Sequence, residues 1–114
     1  MKPENQFILH KATGSTAISV TYTVQRKLLL SAFSLALNAV GGASENFVIS
    51  INDNEGAAYD YTVYAKDMVD VQYIVKTFSE PIPLFVGDII TVTYTNTNSK
   101  TYGLKLIGDI GEYR

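Results

Sequence analysis

Apolar and polar residues alternate along most of the chain with a period of two, which is typical of β-strands that face a core on one side. The clearest run is residues 17–24, where the apolar side chains share one face and hydroxyl side chains occupy the other. The apolar face consists of Ile18, Val20, Tyr22 and Val24. The same alternation predicts strands over residues 46–53, 59–66, 69–78, 89–95 and 101–107.

Residues 27–37 are the segment in which a helix competes with a strand, because Leu and Ala are both strong helix formers. The even positions carry small residues after two leucines, and the odd positions form an apolar face. That face consists of Leu29, Phe33, Leu35 and Leu37. We interpret the segment as a strand, since this face is continuous and both neighbouring segments are strands.

Turn residues separate the predicted strands at 41–44, 52–56 and 96–100. Pro81 and Pro83 cannot donate ladder hydrogen bonds, so their segment is predicted to be a connection or an edge strand. At the start of the strand over 89–95, Gly87 is expected to permit a tight turn. Asp88 is expected to accept backbone hydrogen bonds at the same place.

Seven or eight short strands, each with one apolar face, need a second layer to cover that face. We therefore predict an all-β fold, a two-sheet antiparallel β-sandwich of jelly-roll-like form, with a small barrel as the alternative. The expected division is an N-terminal extended arm over 1–16, a sandwich domain over 17–108 and a C-terminal tail over 109–114.

Composition supports the β assignment and limits the chemistry available to the chain. Thr, Val and Ile make up more than a quarter of the 114 residues, and there are 8 tyrosines. With no cysteine and one histidine, thiolate chemistry, disulfides and a multi-histidine zinc site are excluded. The net charge of −2 argues against a nucleic-acid binder that works by neutralising phosphates.

Three groups of polar residues are candidates for chemistry, and each has a simpler interpretation. Asp53, Glu55 and Asp60 offer the oxygen ligands that calcium prefers, but their segment also has the composition of a hairpin turn. The other candidates are paired carboxylates, as at Asp67 and Asp70, and the imidazole of His10. We favour boundary or surface positions for them, and we expect no catalytic residue, no metal and no cofactor.

The tyrosines suggest a binding surface of another kind. Tyr59 and Tyr61 are predicted to share one face of their strand, with Tyr64 on the opposite face. Exposed aromatic rings can stack on sugars or lie in a protein interface, where tyrosine is enriched, whereas buried ones would fill the core. All three residues are candidate interface positions.

Three stretches form a recognisable pattern when taken together. They are residues 56–64, the Gly-Asp pair at 87–88, and residues 94–104, which read Tyr-x-Asn-x-x-x-x-Thr-Tyr-Gly-Leu. This pattern resembles small virion structural proteins of tailed bacteriophages. The similarity covers roughly residues 17 to 108. It implies a compact β-sandwich without enzymatic activity on the head, as a decoration or cement subunit, or in the tail or head–tail region.

This resemblance implies partners among other virion proteins, a homo-oligomer, no nucleic-acid or membrane contact, and a location in the virion after assembly in the host cytoplasm. The N-terminal stretch has neither the apolar length nor the small-residue cleavage site of a secretory signal. Its apolar residues Phe7, Ile8 and Leu9 are expected to bury in an adjacent subunit. A carbohydrate- or receptor-binding module that uses exposed tyrosines is the alternative function.

Overall fold

The computed structural model describes residues 6–110, which form eight β-strands and one short 3-10 helix over Ala57–Tyr59. The strands are β1 (Gln6–Gly14), β2 (Ile18–Thr23), β3 (Leu28–Leu37), β4 (Asn46–Asn52), β5 (Tyr61–Asp67), β6 (Tyr73–Leu84), β7 (Ile89–Tyr94) and β8 (Tyr102–Asp109). Residues 1–5 of the expected arm and 111–114 of the expected tail lie outside the described residues.

The strands form two four-stranded antiparallel sheets, which confirms the predicted sandwich. The first sheet has the order β1-β8-β3-β6 and the second has the order β2-β7-β4-β5. Strand pairs are therefore nested: β4 pairs with β5, β3 with β6, β2 with β7, and β1 with β8. A long hairpin rolled up in this way is a jelly roll, in which two Greek keys share one core.

The core lies between the sheets and is made by the alternating inward residues of the strands. Its fully buried large side chains come from both sheets and, in the case of Met68, from the connection after β5. They are Ile18, Leu30, Phe33, Leu35, Phe47, Ile49, Ile51, Met68, Leu84, Ile90, Tyr94 and Leu104. Burying each large apolar side chain is worth about 1.5–3 kcal/mol relative to leaving it exposed. The alternation predicted for β2, β4 and β7 matches this pattern because the registers of β2 and β4 with β7 are uninterrupted.

β3 is a strand, as predicted, but its apolar face changes parity at a β-bulge. Leu30 pairs with Gly108 of β8 and Ala32 pairs with Ile107 of β8, so Ser31 is an extra residue in β3. Leu28 and Leu30 are therefore buried before the bulge, and the odd-numbered residues are buried after it. The predicted inward face was correct for Phe33, Leu35 and Leu37, and it was wrong for Leu29, which is only partly buried.

β6 begins later and extends further than predicted, because it includes both prolines. On β3, Leu30 pairs with Ile82 while Ala32 pairs with Thr77, so residues 78–81 bulge away from the ladder. Pro81 and Pro83 are tolerated because β6 is an edge strand, as one of the two predictions for this segment stated.

Residues 6–14 fall within the segment expected to be an arm, and they form an edge strand of the sandwich. This strand, β1, pairs with β8 along its length, with a register shift at Leu9. Phe7 and Leu9 are partly buried against the core of their own chain. The reason is the same alternation that builds the other strands: one side of β1 is apolar enough to pack inward.

Candidate functional site

The turns that connect β2 to β3, β4 to β5 and β6 to β7 meet at one end of the sandwich, which we call the Asp88 end. The Asp88 side chain is 3% exposed, and its two carboxylate oxygens accept the backbone N–H groups of Asn54 and Phe85, each at 2.9 Å. Gly87 has φ of 95°, which favours glycine. The predicted roles of Gly87 and Asp88 are confirmed, and Asp88 also joins two turns that are distant in sequence.

Four large apolar side chains are exposed around this carboxylate. They are Tyr59, Tyr61, Phe85 and Val86. A depression of about 300 Å³ lies beside them, with Asp53, Asn54, Glu55, Phe85, Val86 and Asp88 in its lining. Partial burial raises the pKa of Tyr61, and the nearby carboxylates of Asp88 and Asp53 raise it further. This end therefore combines exposed aromatic rings with a depression that polar side chains line.

The acidic residues of the β4–β5 turn build the turn itself. Asp60 Oδ1 accepts the Asp53 N–H at 2.8 Å, and Asp53 Oδ1 accepts the Glu55 N–H at 2.7 Å. Within residues 6–110, no three His, Asp or Glu side chains gather as a group that could hold a metal ion. The contacts match the turn interpretation of this segment.

The other two polar candidates also have structural contacts. The Asp67 carboxylate accepts Ser44 Oγ at 2.6 Å and the Val69 N–H at 3.0 Å, and these hydrogen bonds lower its pKa. The ring of His10 on β1 lies 5.9 Å from that of Tyr22 on β2. His10 therefore helps to close the side of the sandwich where the two sheets meet.

The six candidate interface residues divide into two sets. Tyr59 is 62% exposed, Tyr61 is 42% exposed and Ile8 is 53% exposed, so these three can meet a partner. Phe7, Leu9 and Tyr64 are partly buried and pack against the core.

Tyr64 also lies on the face opposite to the one predicted for it. Ile49 pairs with Tyr64 but Ser50 pairs with Thr62, so Val63 is an extra residue in β5. The bulge turns Tyr64 inward, where its ring meets the Phe33 ring edge-on, with 5.0 Å between the ring centroids.

A second candidate surface is the outer face of the first sheet, which sequence reasoning missed. On its central strands, β3 presents Ser34 and Ala36 and β8 presents Gly103 next to Lys105, while β6 and β1 lie on either side. Two cross-strand rows define it: Thr13, Gly103, Ala36, Tyr73 in one and Lys11, Lys105, Ser34, Val75 in the other. We call this surface the small-residue face. The sequence signal was the small residues at alternate positions of β3.

The small-residue face contains a groove of about 600 Å³, with Lys11 and Lys105 in its lining and apolar side chains beside it on β6. The low floor is made by Ala36, Ser34 and Gly103. On β6, Tyr73 is 66% exposed and Val75 is 80% exposed. Lys11 and Lys105 lie directly opposite each other, an arrangement of like charges that is unfavourable unless something compensates it. The face therefore offers shape, apolar area and positive charge to a partner.

No family model, curated protein or solved structure matches the chain. In the part of the chain that the structure describes, no helix combines the length and the apolar character needed to cross a membrane. The jelly-roll assignment accordingly depends on the strand order and registers themselves.

Proposed function

We propose that the chain is a non-enzymatic virion structural protein of a tailed bacteriophage, which acts by symmetric protein–protein contacts. It would serve as a head decoration or cement subunit, or as a small head–tail or tail component. The resemblance of residues 56–64, 87–88 and 94–104 supplies the phage context. The observation that carries the contact role is the small-residue face.

The small-residue face suits a protein partner for a physical reason. Small side chains at Ala36 and Gly103 let another backbone approach the sheet closely. Tyr73 and Val75 are strongly exposed apolar side chains beside this floor, and tyrosine is among the residues that contribute most to interface energy. Contiguous apolar surface on a domain of this size is a common sign of an interaction site.

The fold also suits a rigid docking unit. Both ends of the sandwich are held by hydrogen bonds between turns, as when Asn98 Nδ2 donates to Gly41 O at 2.9 Å and Asn54 N–H donates to Asp88. A rigid surface loses little conformational entropy on binding. Jelly rolls occur in viral capsid and lectin domains and in cupins, so the fold agrees with a virion role and also allows others.

The test is to place an arginine in the middle of the small-residue face of the phage-encoded chain. Ala36→Arg is expected to reduce the number of copies per purified particle at least tenfold, because its side chain fills the groove. Thr93→Arg is the matched control, since Thr93 is exposed on the outer face of the second sheet. Quantitative mass spectrometry of particles gives the copy number, and circular dichroism checks folding.

Two results would contradict the proposal. Wild-type chain that is absent from purified particles would exclude the virion role. Folded Ala36→Arg that occupies particles at the wild-type level would exclude the small-residue face as the contact.

The second candidate function is a carbohydrate- or receptor-binding module at the Asp88 end. It is favoured by the exposed rings of Tyr59 and Tyr61 beside the depression that Asp53 and Asn54 line. Titration with polysaccharides would then saturate, and Tyr59→Ala would weaken binding while Tyr73→Ala would not. Absence of saturable binding across a glycan array would exclude the sugar-binding form of this candidate.

A further inference from the structure

The four edge strands of the sandwich differ in how they are protected against pairing with another strand. Exposed edges carry unpaired N–H and C=O groups, and proteins usually block them with bulges, charges or prolines. β1 has a bulge at Leu9 and an exposed Lys11. β5 has the Val63 bulge and an exposed Lys66. β6 has two prolines and a four-residue bulge.

β2 has none of these protective features. Its six residues read Ile-Ser-Val-Thr-Tyr-Thr, with no charge and no proline, and its register with β7 is uninterrupted from Ile18 to Thr23. Within residues 6–110, the only other hydrogen bond to its backbone is from Gln25 Nε2 to Thr23 O, at one end. An uncharged edge strand without a bulge or proline is a template for strand addition.

We propose that β2 pairs antiparallel with β2 of a second copy of this chain, joining the two second sheets into one eight-stranded sheet across a two-fold axis. Such a contact is isologous, so each copy contributes the same residues. The inference deepens the proposed assembly role and rests on it for its biological meaning, whereas the pairing itself is a property of the isolated protein.

The sequence of β2 is complementary to itself in this arrangement. Residues directly opposite in an antiparallel pair share a face of the sheet. When the axis passes through Val20, Ile18 faces Tyr22 of the second copy on the core side, and Ser19 faces Thr21 of the second copy on the outer side. Apolar pairs and hydroxyl pairs of this kind are favourable, and with no charge in β2 there is no like-charge repulsion between the strands.

Val20 and Tyr22 add a further reason for a second copy. Both side chains are only partly buried at the rim of the core. Pairing of β2 with itself places the equivalent rim of another molecule beside them. It would therefore add contacts along β2 to the cover that the His10 ring already gives Tyr22 within one copy.

The first experiment uses the absence of cysteine in the chain. A single cysteine in Ser19→Cys or Thr21→Cys lies within about 8 Å of its counterpart across the axis, so a short bismaleimide should cross-link it. Thr93→Cys is the matched control. It is exposed on the same face but one strand inward, and three strand spacings of about 4.8 Å separate it from its counterpart.

The second experiment measures the dimer directly by sedimentation velocity. Wild-type protein is expected to be a dimer, and Thr21→Lys should raise its dissociation constant at least tenfold, since it adds a charge to each copy at the junction. Thr93→Lys should leave the constant unchanged. An equimolar mixture of Thr21→Lys and Thr21→Glu should dimerise more tightly than either variant alone.

A monomeric wild-type protein, or equal cross-linking of Thr93→Cys and the two β2 variants, would overturn the inference. Folded Thr21→Lys that dimerises as tightly as Thr93→Lys would also overturn it. These outcomes leave the particle experiment unaffected. A protein that is monomeric in solution and still occupies virions would contradict the β2 pairing and support the assembly role.

Discussion

The hydroxyl of Tyr94 predicts that a substitution in the core will stabilise the protein. The Tyr94 side chain is 2% exposed, and its hydroxyl oxygen is buried with no hydrogen-bond partner among the described residues. Burial raises the pKa of Tyr94, and the carboxylates of Glu45 and Asp67 raise it further. The hydroxyl therefore loses its hydration on folding without gaining a hydrogen bond in return.

Tyr94→Phe removes only this hydroxyl. An unsatisfied buried polar group costs about 1–3 kcal/mol, and part of the gain is lost because the oxygen also packs against its neighbours. The free energy of unfolding should rise by about 1 kcal/mol, which corresponds to roughly 4 °C in Tm for a domain of this size. Tyr59→Phe, at a 62% exposed position, is the control and should change neither quantity.

The surroundings of Tyr94 make the prediction more specific. A Cβ at Gly41 would lie 2.6 Å from the Tyr94 hydroxyl and 2.5 Å from the Met68 carbonyl oxygen. Gly41→Ala should therefore be destabilising. Tyr94→Phe should restore only part of that loss, because the contact with the Met68 backbone remains.

The pH dependence of stability provides a second measurement. The folded-state pKa of Tyr94 is above its unfolded value. The wild-type protein should therefore keep its full stability below a pH of about 10 and lose part of it as pH rises through the folded-state pKa. The variant Tyr94→Phe lacks this loss, so its advantage over the wild type should increase above that pH. Urea unfolding followed by circular dichroism gives the free energies of unfolding of the wild type and the variant at each pH. A variant less stable than the wild type at pH 7 would refute the reasoning, because it would mean that the hydroxyl is satisfied.

Two further predictions concern carboxylates in turns. Asp88→Asn should lower the free energy of unfolding by about 2 kcal/mol in urea titrations, since an amide has only one acceptor oxygen for the N–H groups of Asn54 and Phe85; an unchanged midpoint would contradict this role. Ser44→Ala should raise the pKa of Asp67 toward its ordinary value, measured by NMR titration, because the Ser44 hydrogen bond is the largest cause of the lowered pKa. In the wild type, the stabilising contribution of Asp67 is present above the unfolded pKa and is lost as pH falls through the folded one. Ser44→Ala should reduce this contribution. An unshifted Asp67 resonance would contradict the assignment.

Local patterns were sufficient for several elements and for one detail of the Asp88 end. The inward faces of β2, β4 and β7 follow from alternation alone, because β2 and β4 both pair with β7 in an uninterrupted register. The turn at Gly87 and Asp88 was predictable because glycine conformation and carboxylate hydrogen bonding are properties of neighbouring residues.

Bulges explain where the same reasoning failed. The extra residues at Ser31 and Val63 change which alternate positions face inward on the two sides of each bulge. Leu29, before the first bulge, and Tyr64, after the second, were therefore assigned to the wrong sides. A bulge is defined by the partner strand, and alternation within one strand does not reveal it. The small-residue face was missed for a related reason: Ala36 and Gly103 become neighbours only when β3 pairs with β8.

The sequence by itself determined the all-β class, the places where most strands begin and end, and the chemistry that the chain lacks, because these depend on residue types and short spacings. Only the tertiary structure decided which strands lie at an edge. It places β1 within the sandwich, places Pro81 and Pro83 in the edge strand β6, and leaves β2 at an edge without a proline or a charge. Strand order depends on pairings between residues far apart in the chain, and the small-residue face and the exposed edge of β2 are consequences of that order.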